Sequence, residues 1–185
     1  MSDIAILDQM IKNSARIPVE VDAFTTKKFV KLTEPQEPTS VVTIHNVPDD
    51  AVVIKVDKFE VDKVFNGSKD ECKRADYVII SDSCGKKRIL YIEMKKTKDS
   101  EKQIISQLKG ATCFVAYCKE IASVFWEKRD LLSGFQERFV SFGHTGGINK
   151  KRTRIERPTR DHNTPERLMK ISWPSRTEFN NLVGA

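Results

Sequence analysis

The middle of the chain carries acidic and basic residues whose types and spacing suit hydrolytic chemistry. Asp76 stands before an apolar run at 77–80, and Glu93-Met94-Lys95 begins directly after a second apolar run at 89–92. The β-branched and aromatic residues of both runs favour strands, and the polar stretch between them, which contains a glycine, favours a hairpin. If this hairpin closes symmetrically about Cys84-Gly85, Asp76 lies directly opposite Glu93.

Side-chain alternation then brings the charged residues together on one face of the predicted hairpin. Tyr91, Glu93 and Lys95 share a face because side chains alternate with period two along a strand, and Asp76 joins them from the partner strand. Like charges that face each other across a sheet are destabilising, so a cation between the two carboxylates is the natural compensation. The pattern therefore predicts a cation site on the hairpin.

This constellation resembles the PD-(D/E)XK nuclease superfamily. The signature of that family is an Asp at the start of one strand and Glu-x-Lys at the end of the next. Asp76 and Glu93-Met94-Lys95 match it, and Ala75 stands where many members have Pro. The resemblance covers about residues 41–142. It implies an α/β fold with a central mixed β-sheet flanked by helices, the restriction-endonuclease-like core.

The resemblance also implies an activity, which is hydrolysis of phosphodiester bonds with Mg²⁺ or Mn²⁺ as cofactor. DNA is favoured over RNA as the substrate, and restriction, repair and phage defence are the implied settings. In this interpretation Asp76, Glu93 and the backbone carbonyl of Met94 bind the ion. Lys95 orients the attacking water or stabilises the phosphate. Gln107, on the helix after the hairpin, borders the active site as a further catalytic residue, or is simply a polar edge residue of an amphipathic helix.

Other acidic and metal-ligating residues give weaker signals. A second Glu-x-Lys copy, Glu71-Cys72-Lys73, lies in a charged loop with no strand before it, so it is rejected on context. Glu60, or Asp57, is a candidate for an additional acidic ligand upstream of Asp76, with a solvated surface charge as the alternative. The three histidines and four cysteines show no zinc-binding spacing, and the cysteines are expected to be reduced thiols.

The remaining pattern predicts the elements that hold this hairpin. A capped helix should begin at Ser100, with Gln103 completing a capping box, and pack an apolar stripe on the sheet. Whether 114–118 forms a strand or the last turns of that helix is left open by its periodicity. The other expected elements are helices at 2–13 and 121–132, strands at 41–44, 51–56, 137–142 and 167–172, one or two strands within 19–32, a loop at 33–40, and a terminal helix opened by a capping box at Ser175 and Glu178.

A basic segment at about 143–160 is expected to form an exposed loop. Six cations in eleven residues could neutralise several backbone phosphates and make binding depend steeply on salt. A solubilising loop is the competing interpretation, and the nuclease-like hairpin favours nucleic-acid contact. The cations are Lys150, Lys151, Arg152, Arg154, Arg157 and Arg160.

Length and composition limit the classes of protein that remain. A chain of 185 residues is expected to form a single domain over 1–185, and its net charge of +6 favours a polyanionic partner, nucleic acid before membrane. No apolar run is long enough to cross a bilayer, and early acidic residues argue against a signal peptide, so a cytoplasmic protein is predicted. Oligomeric state stays open, with a homodimer or a partner protein both compatible.

Three hypotheses follow for function. The first is a metal-dependent nuclease. The second is a catalytically inactive module of the same fold that binds nucleic acid or protein. The third is a structural or protein-interaction domain, which predicts no salt-dependent affinity for DNA or RNA.

Overall fold

The computed structural model describes residues 1–35, 37–83, 85–95, 100–143, 161–172 and 176–184. Short 3₁₀ turns at Asn13–Ala15, Val56–Lys58 and Pro165–Arg167 join some of the regular elements. In chain order the helices and strands are α1 (Asp3–Met10), β1 (Glu20–Val21), β2 (Lys28–Glu34), β3 (Glu37–His45), β4 (Val52–Lys55), β5 (Tyr77–Ser83), β6 (Lys86–Lys95), α2 (Glu101–Phe125), β7 (Gln136–Gly143), β8 (Met169–Ser172), β9 (Arg176–Glu178) and α3 (Phe179–Val183).

The strands form two mixed sheets. The central sheet has five strands in the order β4-β5-β6-β7-β8, in which β4, β5 and β6 are antiparallel and β6, β7 and β8 are parallel. The second sheet has the order β1-β2-β3-β9, with a parallel pairing only between β3 and β9. The α/β class with a mixed central sheet is therefore confirmed.

The β5–β6 hairpin has the register predicted from its sequence. Tyr77 pairs with Ile92 and Ser83 pairs with Lys86, so the next position along places Asp76 opposite Glu93. The turn closes at Gly85 with a φ of 76°, a left-handed conformation that glycine adopts without steric cost.

The two faces of the central sheet are covered differently. Alternate residues such as Tyr91 and Phe139, whose rings stack 4.6 Å apart, face α1 and α2. Leu90 and Ile92 point the other way and pack against buried residues of the second sheet and of α3, such as Leu182. Helices thus cover one face as expected, whereas the other face is covered mainly by a second sheet that the sequence did not predict.

Two predicted elements, a helix at 121–132 and a loop at 33–40, differ from the structure. The helix that begins at Ser100 runs without a break to Phe125, so 114–118 is helical and no separate helix begins at 121. The expected loop at 33–40 is mostly strand, because β2 continues to Glu34 and β3 begins at Glu37. The β2–β3 register shifts between Thr33 and Glu34, which is a bulge of the kind that admits a proline such as Pro38.

The helix starts were predicted with mixed success. Ser2 caps α1, accepting from the Ala5 backbone N–H, and Ser100 caps α2 in a full capping box with Gln103. The terminal helix α3 instead begins after Glu178, which occupies its N-cap without a side-chain bond, so the predicted capping box is wrong. Ser175 lies outside the described residues. Among the helices of the described ranges, none is both long and apolar enough to cross a membrane.

Candidate active site

A polar cleft of about 330 Å³ opens where the β5–β6 hairpin begins and ends. The end of β2, the chain just before β5 and the first turns of α2 form its walls. Three acidic, three basic and two amide side chains line it, so it differs from an apolar ligand pocket. These are Glu34, Asp57 and Asp76, then Lys73, Arg74 and Lys95, then Gln103 and Gln107.

Asp76 is held in the cleft by main-chain hydrogen bonds. Its Oδ2 accepts from the Met94 N–H at 2.7 Å, and its own carbonyl accepts from the Val56 N–H at 2.9 Å. The side chain is buried, and burial raises the pKa of this carboxyl to about 7, with Glu34 and Asp57 adding to the rise. The Met94 N–H and Lys95 lower the pKa of Asp76 but do not cancel the rise. Additional positive charge nearby would therefore stabilise the ionised form of Asp76.

Glu93 lies fully buried beside Asp76 on the same face of the sheet. Lys95 Nζ is 3.3 Å from Glu93 Oε1, an ion-pair distance, but the geometry is not that of a hydrogen bond. No hydrogen bond of good geometry reaches either carboxylate oxygen within the described part of the chain, although the Lys95 ammonium and the Asp76 backbone N–H lie close enough to lower the pKa of Glu93. Burial, and then the nearby Asp76, raise the pKa of Glu93 well above its usual value, and Lys95 opposes them. The Lys95 ammonium thus lowers the pKa of both buried carboxyls without cancelling the rise.

Met94 connects these two acids through its backbone. Its side chain is fully buried in the core on the other side of the sheet. The N–H of Met94 points towards Asp76, and in an extended strand the N–H and C=O of one residue point to the same neighbouring strand. The Met94 carbonyl is therefore directed to the Asp76 side.

The two glutamines of α2 that line the cleft differ in the hydrogen bonding of their side-chain oxygens. The Gln103 side-chain oxygen accepts from the Ser100 N–H at 3.3 Å and so completes the helix cap. Gln107 Oε1 is buried at the cleft wall and has no hydrogen-bond partner among the described residues. Gln107 is thus the amide whose oxygen is available to a ligand.

Additional acidic residues reach the cleft, but Glu60 is not one of them. Glu60 is exposed and pairs with Lys63, which agrees with the alternative of a surface charge. Asp57 lines the cleft, and its Oδ1 is buried without a partner in the part of the chain that is described. Glu34, which is 3% exposed, comes from the second sheet, and no local sequence signal indicated it.

The second Glu-x-Lys copy has a structural role. The Glu71 carboxylate accepts from the backbone N–H groups of Gly67 and Lys69 at 3.0 and 2.7 Å. Lys73 Nζ pairs with Asp70 at 3.2 Å, so the two charged ends of this copy do not converge. Its rejection on context agrees with these contacts.

The histidines, which the sequence did not favour as metal ligands, and the six predicted nucleic-acid-binding cations either have structural contacts or lie outside the described residues. His45 stacks on Phe29, and His162 Nε2 lies 2.7 Å from the Leu182 carbonyl oxygen, so both have contacts within the fold. His144 and the six cations at 150–160 fall outside the described residues. Within the ranges that are described, no three or more His, Cys, Asp or Glu side chains form a ready metal-binding group.

The chain matches no family model, no curated protein and no solved structure. What can be said of its function therefore depends on the geometry and chemistry of the cleft.

Proposed function

We propose that this protein is a nuclease that hydrolyses phosphodiester bonds, with Mg²⁺ or Mn²⁺ as cofactor and DNA as the favoured substrate. One observation carries the proposal: Asp76 and Glu93 lie side by side, buried, with Lys95 Nζ 3.3 Å from Glu93, and neither Glu93 oxygen has a hydrogen bond of good geometry among the described residues. Buried carboxyls without partners are unfavourable unless a proton or a cation compensates them. Restriction, repair or phage defence would be the setting.

The donor set suits a hard divalent ion. Mg²⁺ prefers one or two carboxylates, carbonyl oxygens and several waters, so it needs no group of three acidic residues. Among the described residues, four buried oxygens without a hydrogen-bond partner lie in this region, namely both of Glu93, Oδ1 of Asp57 and Oε1 of Gln107. Asp76, Glu93 and the Met94 carbonyl would hold the ion. When bound, such an ion lowers the pKa of water and neutralises charge on the phosphate.

The side chains around the carboxylates supply the remaining steps. Lys95, 13% exposed and beside Glu93, carries a positive charge that can orient the attacking water or balance the extra charge of the phosphate in the transition state. Gln107 can accept a hydrogen bond from the same water through Oε1. Asp76 keeps its orientation because the Met94 N–H fixes Oδ2.

The decisive test is the isosteric change Glu93→Gln, which removes the charge and keeps the shape. We expect Mg²⁺-dependent cleavage of DNA to fall by about 100-fold or more, because a group that binds the ion is lost. The fold should remain intact, because Gln fills the same volume as Glu93 and needs neither a proton nor a cation to compensate it. Cleavage is measured on labelled single- and double-stranded DNA, and folding by circular dichroism.

Glu60→Gln is the matched control, because Glu60 is an exposed acid paired with Lys63 outside the cleft. Its cleavage rate should equal that of the wild type. A separate measurement without turnover is the thermal midpoint, which Mg²⁺ should raise in the wild type and leave unchanged in Glu93→Gln. Full activity of Glu93→Gln, or an equal Mg²⁺ response in both proteins, would rule out the proposed site.

The second candidate is an inactive module of the same fold that binds nucleic acid or protein. The ion pair between Lys95 and Glu93 favours it, because an ammonium group can compensate a carboxylate without a metal. A gel assay with Mg²⁺ and with EDTA separates the two functions. DNA binding in both conditions without cleavage in Mg²⁺ or Mn²⁺ would identify the module.

A further inference from the structure

We propose that Arg74, supported by Lys73, is a phosphate-binding residue in the wall of this cleft. The pair lies just before Asp76 in the chain, and both side chains line the cleft with the carboxylates. The identity of the ligand, a backbone phosphate of nucleic acid, rests on the proposed nuclease function. The binding site itself rests on the contacts of Arg74.

Arg74 has hydrogen-bonding capacity that its contacts do not use. Its guanidinium carries five N–H donors. Two of them are used, Nη1 donating to the Cys72 carbonyl at 2.9 Å and Nη2 to the Asp57 carbonyl at 3.4 Å. Nη2 is also 3.7 Å from an Asp62 carboxylate oxygen, beyond hydrogen-bond distance. Nε is buried and has no acceptor among the described residues, which is unfavourable in the absence of a ligand.

The backbone that carries Arg74 is fixed against α2. A Cβ placed on Gly110 would lie 1.6 Å from the Lys73 carbonyl oxygen, so the helix approaches this segment as closely as a glycine allows. Lys73 Nζ pairs with Asp70, whose other oxygen accepts from Ser106 Oγ at 3.0 Å. These contacts fix the backbone next to Arg74, and the hydrogen bonds to the Cys72 and Asp57 carbonyls orient its guanidinium before a ligand arrives, which reduces the entropy that binding must cost.

Phosphate is the chemistry that fits this group. A guanidinium presents parallel N–H groups in a planar fork that matches two oxygens of a phosphate, a geometry that an ammonium group lacks. Arg74, Lys73 and Lys95 give the cleft a cationic side beside its carboxylates. A phosphodiester held at Arg74 would therefore have its scissile group next to the proposed ion at Asp76. Inorganic phosphate shares this chemistry, so the test must separate the two ligands.

The test observes Arg74 directly in the full wild-type chain, by NMR of arginine Nε–H groups in EDTA. A short thymidine oligonucleotide and inorganic phosphate are the two probes. We expect the oligonucleotide to shift the Arg74 Nε–H resonance. Arg88 is the internal control, because its Nε is also buried without a partner but it does not line the cleft. Spectra of Arg74→Lys and Arg88→Lys assign the two resonances.

Affinity for the oligonucleotide gives the second readout. Arg74→Lys keeps the charge and removes the fork, so binding in EDTA should weaken about tenfold, as for loss of one charged hydrogen bond. Arg88→Lys should bind like the wild type. An unshifted Arg74 resonance, or equal effects at Arg74 and Arg88, would overturn the inference, and a response to inorganic phosphate alone would overturn its assignment to nucleic acid.

The outcome is independent of the nuclease proposal because no metal is present. If Arg74 responds to the oligonucleotide but the wild type cleaves nothing in Mg²⁺, the phosphate site stands and the nuclease proposal fails. If the wild type cleaves DNA but Arg74 does not respond to the oligonucleotide, the nuclease proposal stands and the phosphate site fails.

Discussion

Asp76 and Glu93 are held together by contacts that do not depend on any ligand. Asp76 is fixed by the Met94 N–H, and the next residue, Tyr77, donates its hydroxyl to the Thr33 carbonyl of the second sheet. That bond between the sheets brings the end of β2, and with it Glu34, close to Asp76. Carboxyls are thus concentrated by the architecture, and the electrostatic cost appears as raised pKa values at Asp76 and Glu93.

The raised pKa of Asp76 predicts how stability depends on pH. The folded protein keeps the Asp76 proton up to about pH 7, whereas an unfolded Asp loses it near 3.8. Between these values unfolding releases a proton, so this group makes the free energy of unfolding fall as pH rises. Relative to Asp76→Asn, the wild type should lose stability progressively as the pH rises from 4 to 7. Urea denaturation at several pH values measures the difference.

Asp22→Asn is the control for this pH dependence. Asp22 is a partly exposed turn residue whose pKa is lowered by the backbone N–H groups of Thr25 and Phe24, so its contribution changes only at more acidic pH. Its stability difference from the wild type should be constant between pH 5 and 8. A constant difference for Asp76→Asn over the same range would contradict the burial of a protonated carboxyl.

At the level of single residues, the sequence predicted those whose positions follow from strand alternation and hairpin register, and few others. Asp76, Glu93 and Lys95 were found together because a hairpin with a symmetric apolar pattern has few alternative registers. Glu34 was not found, since it reaches the cleft through a contact between two sheets, which leaves no periodicity in the sequence. Arg74 was not identified from the sequence, because an unsatisfied Nε is a property of packing.

Among the helices, α2 forms part of the cleft, since it contributes Gln103 and Gln107 and supports Arg74. Its length was missed because the run at 114–118, which contains Phe114 and Val115, suits a strand as well as a helix. Its buried residues Leu108, Ala111, Val115, Cys118 and Ala122 continue one stripe through that run. Packing of this stripe on the central sheet outweighs the local preference.

Gly110→Ala tests the close approach of α2 to the cleft wall. Alanine in a helix is ordinarily favoured over glycine by about 1 kcal/mol. Here the new Cβ would overlap the Lys73 carbonyl, so we expect a net loss of stability of about 1–3 kcal/mol, as for overpacked cores. Because the displaced segment carries Arg74, oligonucleotide affinity should fall as well. Chemical denaturation and a binding titration measure the two effects.

Ala116→Gly is the matched reverse change at an exposed position of the same helix. It should cost about 1 kcal/mol through helix propensity alone and leave affinity unchanged. If Gly110→Ala instead stabilised the protein, the contact between α2 and Lys73 would not be as close as the structure has it.

For the whole molecule, the C-terminal helix α3 closes the core between the two sheets. Phe179, Leu182 and Val183 are buried with residues of both sheets. The last carbonyls of α3 are also held by side chains from outside the helix. Arg138 Nε, on β7 of the central sheet, donates to the Val183 carbonyl at 3.1 Å, and His162 Nε2 lies 2.7 Å from the Leu182 carbonyl oxygen. The cleft depends on this closure, because Glu34 comes from one sheet and Asp76 from the other.

Leu182→Ala therefore tests whether the chain unfolds as one domain. Loss of a fully buried leucine should cost about 2–5 kcal/mol. Trp126 packs on the opposite side of the central sheet, and its fluorescence is measured in a Trp173→Phe background so that it is the only tryptophan signal. If the two sheets are one cooperative unit, this fluorescence should give the same lowered midpoint as circular dichroism. Val124→Ala, an exposed truncation, should change stability by no more than about 0.5 kcal/mol. Separate transitions by the two probes would mean that the two sheets unfold independently. Glu34, which comes from the second sheet, would then leave the cleft before the hairpin that carries Asp76 and Glu93 unfolds.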